Sequence, residues 1–169
     1  MLLPLLLGLM MSGLPPADPD ALYPRVRASS PLVRSILADT AERSATVRDL
    51  LARLADSDVI VYVDFTPSRQ VPAARTVFVT RALDVRYLRI GISVSVPFFD
   101  IAPMIAHELQ HAVEIAGEPA VIDDKGLRRL YHRIGRALGS ERYETEAARA
   151  VERTVRRELQ ARRASRSPS

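Results

Sequence analysis

The sequence contains two histidines and a glutamate at a spacing that suits metal-dependent hydrolysis. His107, Glu108 and His111 spell H-E-x-x-H. On a helix, positions four residues apart lie about 40° apart around the axis, so both imidazoles can reach one ion. Neutral imidazole is a good ligand for Zn²⁺, and the neighbouring glutamate can accept a proton from a water that the ion activates. The motif therefore indicates a zinc site with Glu108 as general base.

The composition restricts what else could complete such a site. The 169-residue chain has three histidines and no cysteine, which excludes thiolate zinc sites, disulfides and a cysteine nucleophile. Shuffling this composition would produce the motif by chance in roughly 0.2% of sequences, so we interpret it as functional rather than as two solvated surface histidines. The opposite face of the predicted helix is apolar and consists of Ile105, Leu109, Ala112 and Ala116.

A catalytic zinc site normally has three protein ligands and an open position for water, so a third ligand must come from elsewhere in the chain. A third histidine six residues after His111 is absent, because position 117 is glycine. The candidates are Glu114, His132, Glu141, Glu144 and Glu146. Glu114 shares the metal face one turn further on, which suits a carboxylate that supports a ligand better than a ligand. His132 stands among arginines, a setting typical of an exposed side chain.

The segment from Arg86 to Glu158 resembles the gluzincin metallopeptidases. In that group H-E-x-x-H supplies two zinc ligands, and a glutamate on a downstream helix supplies the third, in several families as the start of an E-x-x-A-D motif. Glu144 and Ala147 match the E-x-x-A part, whereas Ala148 stands in place of the aspartate. The resemblance implies one Zn²⁺ ion with the ligands His107, His111 and Glu144.

The resemblance also implies how a substrate would bind and react. In such enzymes an edge strand of the sheet aligns an extended peptide antiparallel to itself, and the strand predicted from Arg86 to Val96 is the counterpart here. Glu146 is the alternative to Glu144 as third ligand, since the two lie about 200° apart on a helix and cannot both face one ion. An oxyanion donor is also expected. The candidates for it are Tyr131, His132 and Tyr143.

Hydrophobic periodicity and capping residues predict the elements that position these side chains. A helical segment runs from Ser30 to Ala55, as one helix or as two with a break between Thr40 and Ser44. Three strands are predicted at Asp58 to Phe65, Thr76 to Arg81 and Arg86 to Val96. Three helices follow, from an N-cap at Asp100 to Ala116, from Asp124 to Leu138, and onwards from a cap at Ser140. This order predicts an α+β domain with a small, mostly antiparallel three-stranded sheet, which the resemblance implies is zincin-like.

The two ends of the chain carry different signals. Residues 1–14 include an apolar run that is too short to span a bilayer and fits a signal peptide or an apolar anchor. Residues 15–28 are proline-rich and are predicted to be a linker, residues 29–160 the metallopeptidase-like domain, and residues 161–169 a basic disordered tail. Export to the periplasm or the medium is expected if the first segment is a signal peptide, and a cytoplasmic location otherwise.

The function that these patterns predict is zinc-dependent hydrolysis of peptide bonds in a peptide or protein substrate. The small size leaves an alternative open, a metal-binding interaction or assembly protein without hydrolytic turnover. A third hypothesis is a protein at the membrane surface, held there by its apolar N-terminus. The net charge of +4 comes from arginines without interleaved aromatic residues, so we expect no nucleic-acid partner.

Overall fold

A computed structural model describes residues 23–67, 73–137 and 143–164, and their elements confirm the α+β class. In chain order these are β1 (Val26–Ala28), α1 (Pro31–Arg43), α2 (Ala45–Ala55), β2 (Val59–Thr66), β3 (Ala74–Ala82), β4 (Val85–Ser93), α3 (Phe98–Ala116), α4 (Asp124–Ile134), β5 (Arg136–Ala137), β6 (Tyr143–Glu144) and α5 (Glu146–Ala164). Within these ranges no helix is long and apolar enough to cross a membrane. The predicted signal segment 1–14, most of the proline-rich linker and the candidate ligand Glu141 lie outside the described residues.

The main sheet has four strands in the order β1-β2-β4-β3, so the prediction of a mostly antiparallel three-stranded sheet is wrong. β1 pairs with β2 in parallel, and β2 pairs with β4 in parallel. β3 and β4 form an antiparallel hairpin. The missed strand, β1, lies at the end of the predicted linker. Its three residues carry no alternating pattern, and it pairs with β2 because the helices α1 and α2 form the crossover that a parallel pair requires.

The hairpin decides which strand forms the edge of the sheet. The predicted edge strand, Arg86 to Val96, corresponds to β4, which is an interior strand. Leu88 of β4 lies between Val61 of β2 and Phe78 of β3. The edge on this side of the sheet is therefore β3, and the predicted assignment of the edge is wrong.

α3 is the central helix of the domain. It contacts α2, α5 and the strands β2, β3 and β4, and Leu109 and Ala112 are fully buried in the core. The helix ends at Gly117 as predicted but begins at Phe98, after Pro97. Asp100 thus lies in the first turn rather than at the N-cap, and its carboxylate binds Arg156 of α5.

The other helices differ from the prediction mainly at their ends. The break in the N-terminal helical segment is confirmed at Ser44, whose hydroxyl accepts from the Val47 N–H and caps α2. α4 ends at Ile134, with Gly135 as its C-cap, earlier than the predicted Leu138. α5 continues to Ala164, so residues 161–164 are helical and do not belong to a disordered tail.

A buried arginine fixes the C-terminal end of α3 to the sheet. Arg86 of β4 is 2% exposed and donates to both carboxylate oxygens of Asp58, at 2.8 and 2.7 Å. Its guanidinium also donates to four backbone carbonyls at and after the end of α3, those of Ile115, Ala116, Glu118 and Val121. The last carbonyls of a helix have no partner within the helix, so this side chain satisfies them. The hydrogen bonds from Arg86 lower the pKa of Asp58, against the opposing effect of burial.

Candidate metal centre

Three predicted ligands from two elements meet in one cluster. His107 and His111 lie one turn apart on α3, and Glu144 approaches from β6. One ligand atom from each residue lies within 4.8 Å of the other two, and Nε2 of His107 is 3.3 Å from Oε1 of Glu144. Two imidazoles and one carboxylate form a donor set found in catalytic zinc sites. The cluster could therefore hold a metal ion.

Glu144 lies on a strand, so the prediction that it lies on a helix starting at Ser140 is wrong. Tyr143 and Glu144 form β6, which pairs antiparallel with β5. The cap of α5 is Thr145, whose hydroxyl accepts from the Ala148 N–H at 3.1 Å. Glu144 thus stands just before the helix. Ala148, fully buried, is one of the small residues that allow α5 to approach α3.

Carboxylates orient both histidines through their Nδ1 atoms. Nδ1 of His107 is 3.2 Å from Oε2 of Glu152, and Nδ1 of His111 is 2.9 Å from Oε2 of Glu114. A carboxylate at Nδ1 holds the imidazole proton on that nitrogen and leaves the lone pair at Nε2 for a ligand bond. Both rings are therefore held in the tautomer that binds a metal through Nε2.

Glu114 contacts the candidate ligand His111, which agrees with its predicted position on the same helix face. Its carboxylate also accepts from the Thr145 hydroxyl at 2.7 Å, which ties α3 to the start of α5. Burial, the largest influence, raises the pKa of Glu114, but the hydrogen bonds from His111 and Thr145 together bring it below its usual value. Glu114 is therefore an anion that fixes the His111 ring.

Glu152 is a functional residue that the sequence analysis missed. It lies on α5 and accepts a second hydrogen bond from Arg156 at 3.0 Å. The predicted start of this helix at Ser140 was too early, so the face presented to α3 could not be deduced. The spacing of eight residues from Glu144 gave no signal, because it turns a helical side chain by about 80° from the starting direction.

The remaining candidate ligands lie elsewhere. Glu146 is exposed and binds Arg153 at 2.6 Å. His132 is exposed on α4, with Nε2 3.2 Å from the hydroxyl of Tyr143. Neither belongs to the ligand cluster in the described part of the chain.

Glu108 lies next to His107 in the sequence and lines a cavity of about 390 Å³ together with the candidate ligands. The residue is 5% exposed, and its Oε2 accepts from the hydroxyl of Thr76 on β3 at 2.6 Å. The cavity is bordered by β3, α3, α4 and β6. Its lining includes residues 73–77, His107, Glu108, His111, Asp124, Leu127, Arg128, Tyr131, Tyr143, Glu144 and Glu152.

Tyr131 lines this cavity and has a buried hydroxyl. Its ring stands edge-on to His111, with centroids 5.3 Å apart, and stacks on Tyr143. The hydroxyl has no hydrogen-bond partner within the described residues. Burial is the main cause that raises the pKa of Tyr131 well above its usual value, with the neighbouring carboxylates as a further cause. The hydroxyl is therefore protonated and able to donate.

Comparisons of the chain with protein family models, with curated proteins and with solved structures gave no match. The class that the fold and the site define is an α+β protein with a cluster of two histidines and one glutamate that could hold a metal ion.

Proposed function

We propose that the protein is a zinc-dependent peptidase of compact, gluzincin-like type. The observation that carries this proposal is the arrangement of His107, His111 and Glu144 around one point, with Glu108 in the lining of the same open cavity. A structural zinc site has four protein ligands and is closed. Three ligands that face a cavity favour a catalytic site.

The chemistry of the donor set favours Zn²⁺ as the ion. Zinc takes imidazole nitrogen together with carboxylate oxygen, whereas Ca²⁺ and Mg²⁺ prefer oxygen alone. A bound Zn²⁺ would supply Lewis acidity, which polarises the scissile carbonyl and lowers the pKa of an attacking water. His107, His111 and Glu144 would hold it, and Glu114 and Glu152 would keep the imidazoles aligned.

Glu108 is the proposed general base. It would take a proton from the attacking water and pass it to the nitrogen of the leaving amine, so that the peptide bond breaks and the proton count balances. The hydrogen bond from Thr76 fixes the direction of this carboxylate. Thr76 belongs to β3, the strand that borders the cavity. Its hydrogen bond would therefore fix the position of Glu108 relative to the edge that binds the substrate.

β3 is the proposed substrate-aligning strand. It pairs with β4, and its residues 74–77 line the cavity. An edge strand offers unpaired N–H and C=O groups to which an extended peptide can bind as an additional strand. This geometry supports a polypeptide substrate.

Tyr131 is the proposed oxyanion donor. Among the three candidates it combines a position in the cavity lining with a protonated, unpartnered hydroxyl within the described residues. Tyr143 also lines the cavity, but its hydroxyl is bonded to His132, and His132 itself is exposed outside the lining. A donor aimed at the developing negative charge stabilises the transition state.

Glu108→Gln tests the catalytic part of this proposal. The amide cannot accept the proton, so we expect kcat on a generic peptide substrate to fall by about 10²–10⁴-fold while bound zinc stays near one equivalent. The matched control is Glu146→Gln, since Glu146 is exposed, is bonded to Arg153 and does not belong to the cluster. It should leave both quantities unchanged.

Two results would contradict the proposal at different levels. Unchanged turnover in Glu108→Gln would remove Glu108 from the mechanism. Less than about a tenth of an equivalent of zinc after supplementation, where a structured zinc site would be nearly filled, would remove the metal centre. Zinc that binds stoichiometrically without any hydrolysis would favour the alternative of a metal-binding interaction protein.

A further inference from the structure

The walls of the cavity carry two arginines that the proposed mechanism does not use. Arg75 lies on the edge strand β3, next to Thr76, and Arg128 lies on α4. Arg128 stands three residues before Tyr131 on α4, so the side chains of Arg128 and Tyr131 share one face of that helix. A positive group therefore stands on each of two elements that border the proposed substrate cleft.

Arg128 differs from its neighbours on the same helix. Arg133, further along α4, forms an ion pair with Glu118, and Arg129 is exposed outside the cavity lining. Arg128 lines the cavity and has no hydrogen bond or ion pair within the part of the chain that the structure describes. Its guanidinium can therefore bind a ligand without breaking an existing pair.

The acidic residues of the cavity are mostly engaged. Glu108 and Glu144 belong to the proposed catalytic centre, and Glu152 is held by His107 and Arg156. Asp124 is the remaining acid in the lining, and it lies at the first residue of α4, where the helix dipole stabilises its charge. Among the cationic side chains of the lining, Arg128 is thus the one left to meet a substrate side chain within the described residues.

We infer that the cleft selects substrates with a carboxylate, which Arg128 binds beside the scissile bond. This inference rests on the proposed peptidase function. A planar guanidinium binds a carboxylate through two parallel hydrogen bonds, which makes arginine suited to such recognition. The carboxylate could belong to an aspartate or glutamate side chain or to the C-terminus of a peptide, and the two sources are separated by the test.

The test compares kcat/KM of the full-length, zinc-loaded protein on matched fluorogenic peptides. One set has glutamate or glutamine at each position around the scissile bond, and a second set has a free or amidated C-terminus. We expect one carboxylate to raise kcat/KM by about tenfold, the effect of one charge-assisted hydrogen bond at a partly solvated site. Arg128→Gln should abolish this ratio and leave hydrolysis of the neutral peptide within about twofold. Arg129→Gln, the matched control, should preserve the ratio.

Each outcome has a defined meaning. Loss of the ratio in Arg128→Gln with the glutamate set supports side-chain recognition, and loss with the free C-terminus set supports recognition of the terminus. Metal-dependent hydrolysis with no preference for either carboxylate, or a preference for lysine that Asp124→Asn removes, would overturn this inference and leave the peptidase proposal standing. No hydrolysis of any peptide would overturn both.

Discussion

α3 carries two buried polar clusters that are built on opposite principles. At its C-terminal end, Arg86 meets only hydrogen-bond acceptors, namely the carboxylate of Asp58 and four backbone carbonyls. In its middle, the candidate metal centre gathers four carboxylates around two imidazoles. Its members are Glu108, Glu114, Glu144, Glu152, His107 and His111.

The two clusters differ in how their charges are balanced. In the Arg86 cluster one cation and one carboxylate neutralise each other, and the spare donors of Arg86 satisfy the helix end. In the candidate metal centre, Arg149 and Arg156 form ion pairs with Glu144 and Glu152, while Glu114 is held by the imidazole of His111 and by uncharged donors. Buried carboxylates in excess of cations are costly unless a positive charge joins them. A divalent cation is the natural complement, so the first cluster is structural and the second is suited to binding.

The largest effect should come from breaking the Arg86 cluster. Arg86→Leu removes the buried guanidinium shared by four carbonyls and the partner of Asp58. It is expected to lower the free energy of unfolding by about 3–5 kcal/mol. Denaturant titration of the metal-free protein measures this loss. The matched control is Arg89→Leu on the same strand. Arg89 pairs with Asp64 at the surface and is 54% exposed, so a loss below about 1 kcal/mol is expected. Equal losses for the two variants would mean that the buried cluster is not the anchor of α3.

An intermediate effect should follow from loosening the candidate metal centre. Glu152→Gln removes the charge that orients His107, and we expect zinc affinity to fall by about 10–100-fold, the usual cost of losing a group that supports a metal ligand. Competition with a chelator of known affinity measures this change. The metal-free variant should be at least as stable as the wild type, because one of the crowded carboxylates has been neutralised. Unchanged zinc affinity would show that Glu152 does not position His107.

The smallest effect should be the pH dependence of the Arg86 cluster. Because the folded pKa of Asp58 lies below its usual value of 3.8, its contribution to stability is complete above pH 3.8 and is lost as the pH falls through the lowered folded value. The effect is modest, since the side chain of Asp58 is 44% exposed and screened by solvent. Denaturant midpoints measured from neutral pH to below pH 3.8 should fall less steeply in Asp58→Asn than in the wild type. Parallel curves of denaturant midpoint against pH for the two proteins would contradict a stabilising role of the ionised Asp58 carboxylate.

Local patterns were sufficient for the parts of the site that lie on one element. The spacing of His107 and His111 places both on one face of any helix, and the ligand cluster contains both. The same reasoning put Glu114 beside His111 and located the strands β2, β3 and β4 to within a few residues. These features depend on backbone hydrogen bonds and side-chain directions within a few residues, which periodicity reports directly.

Features that depend on pairing between distant segments were mispredicted or missed. β1 was assigned to a linker, and the edge of the sheet was assigned to β4, because the order of strands is decided by crossovers and not by the pattern within a strand. Glu144 was expected on a helix but lies on β6, whose pairing with β5 depends on a segment that precedes it in the chain.

The sequence by itself determined that His107 and His111 share one helix face with Glu108 between them and that no thiolate ligand is available, because these follow from residue identity and helix geometry. Only the tertiary structure decided that Glu144 joins the pair, that Glu152 aligns a residue 45 positions earlier, and that β3 and Tyr131 face the same cavity. Such contacts are set by how α5, α4 and the hairpin pack on α3. The free energy of that packing is spread over the whole core, so no short stretch of sequence reveals it.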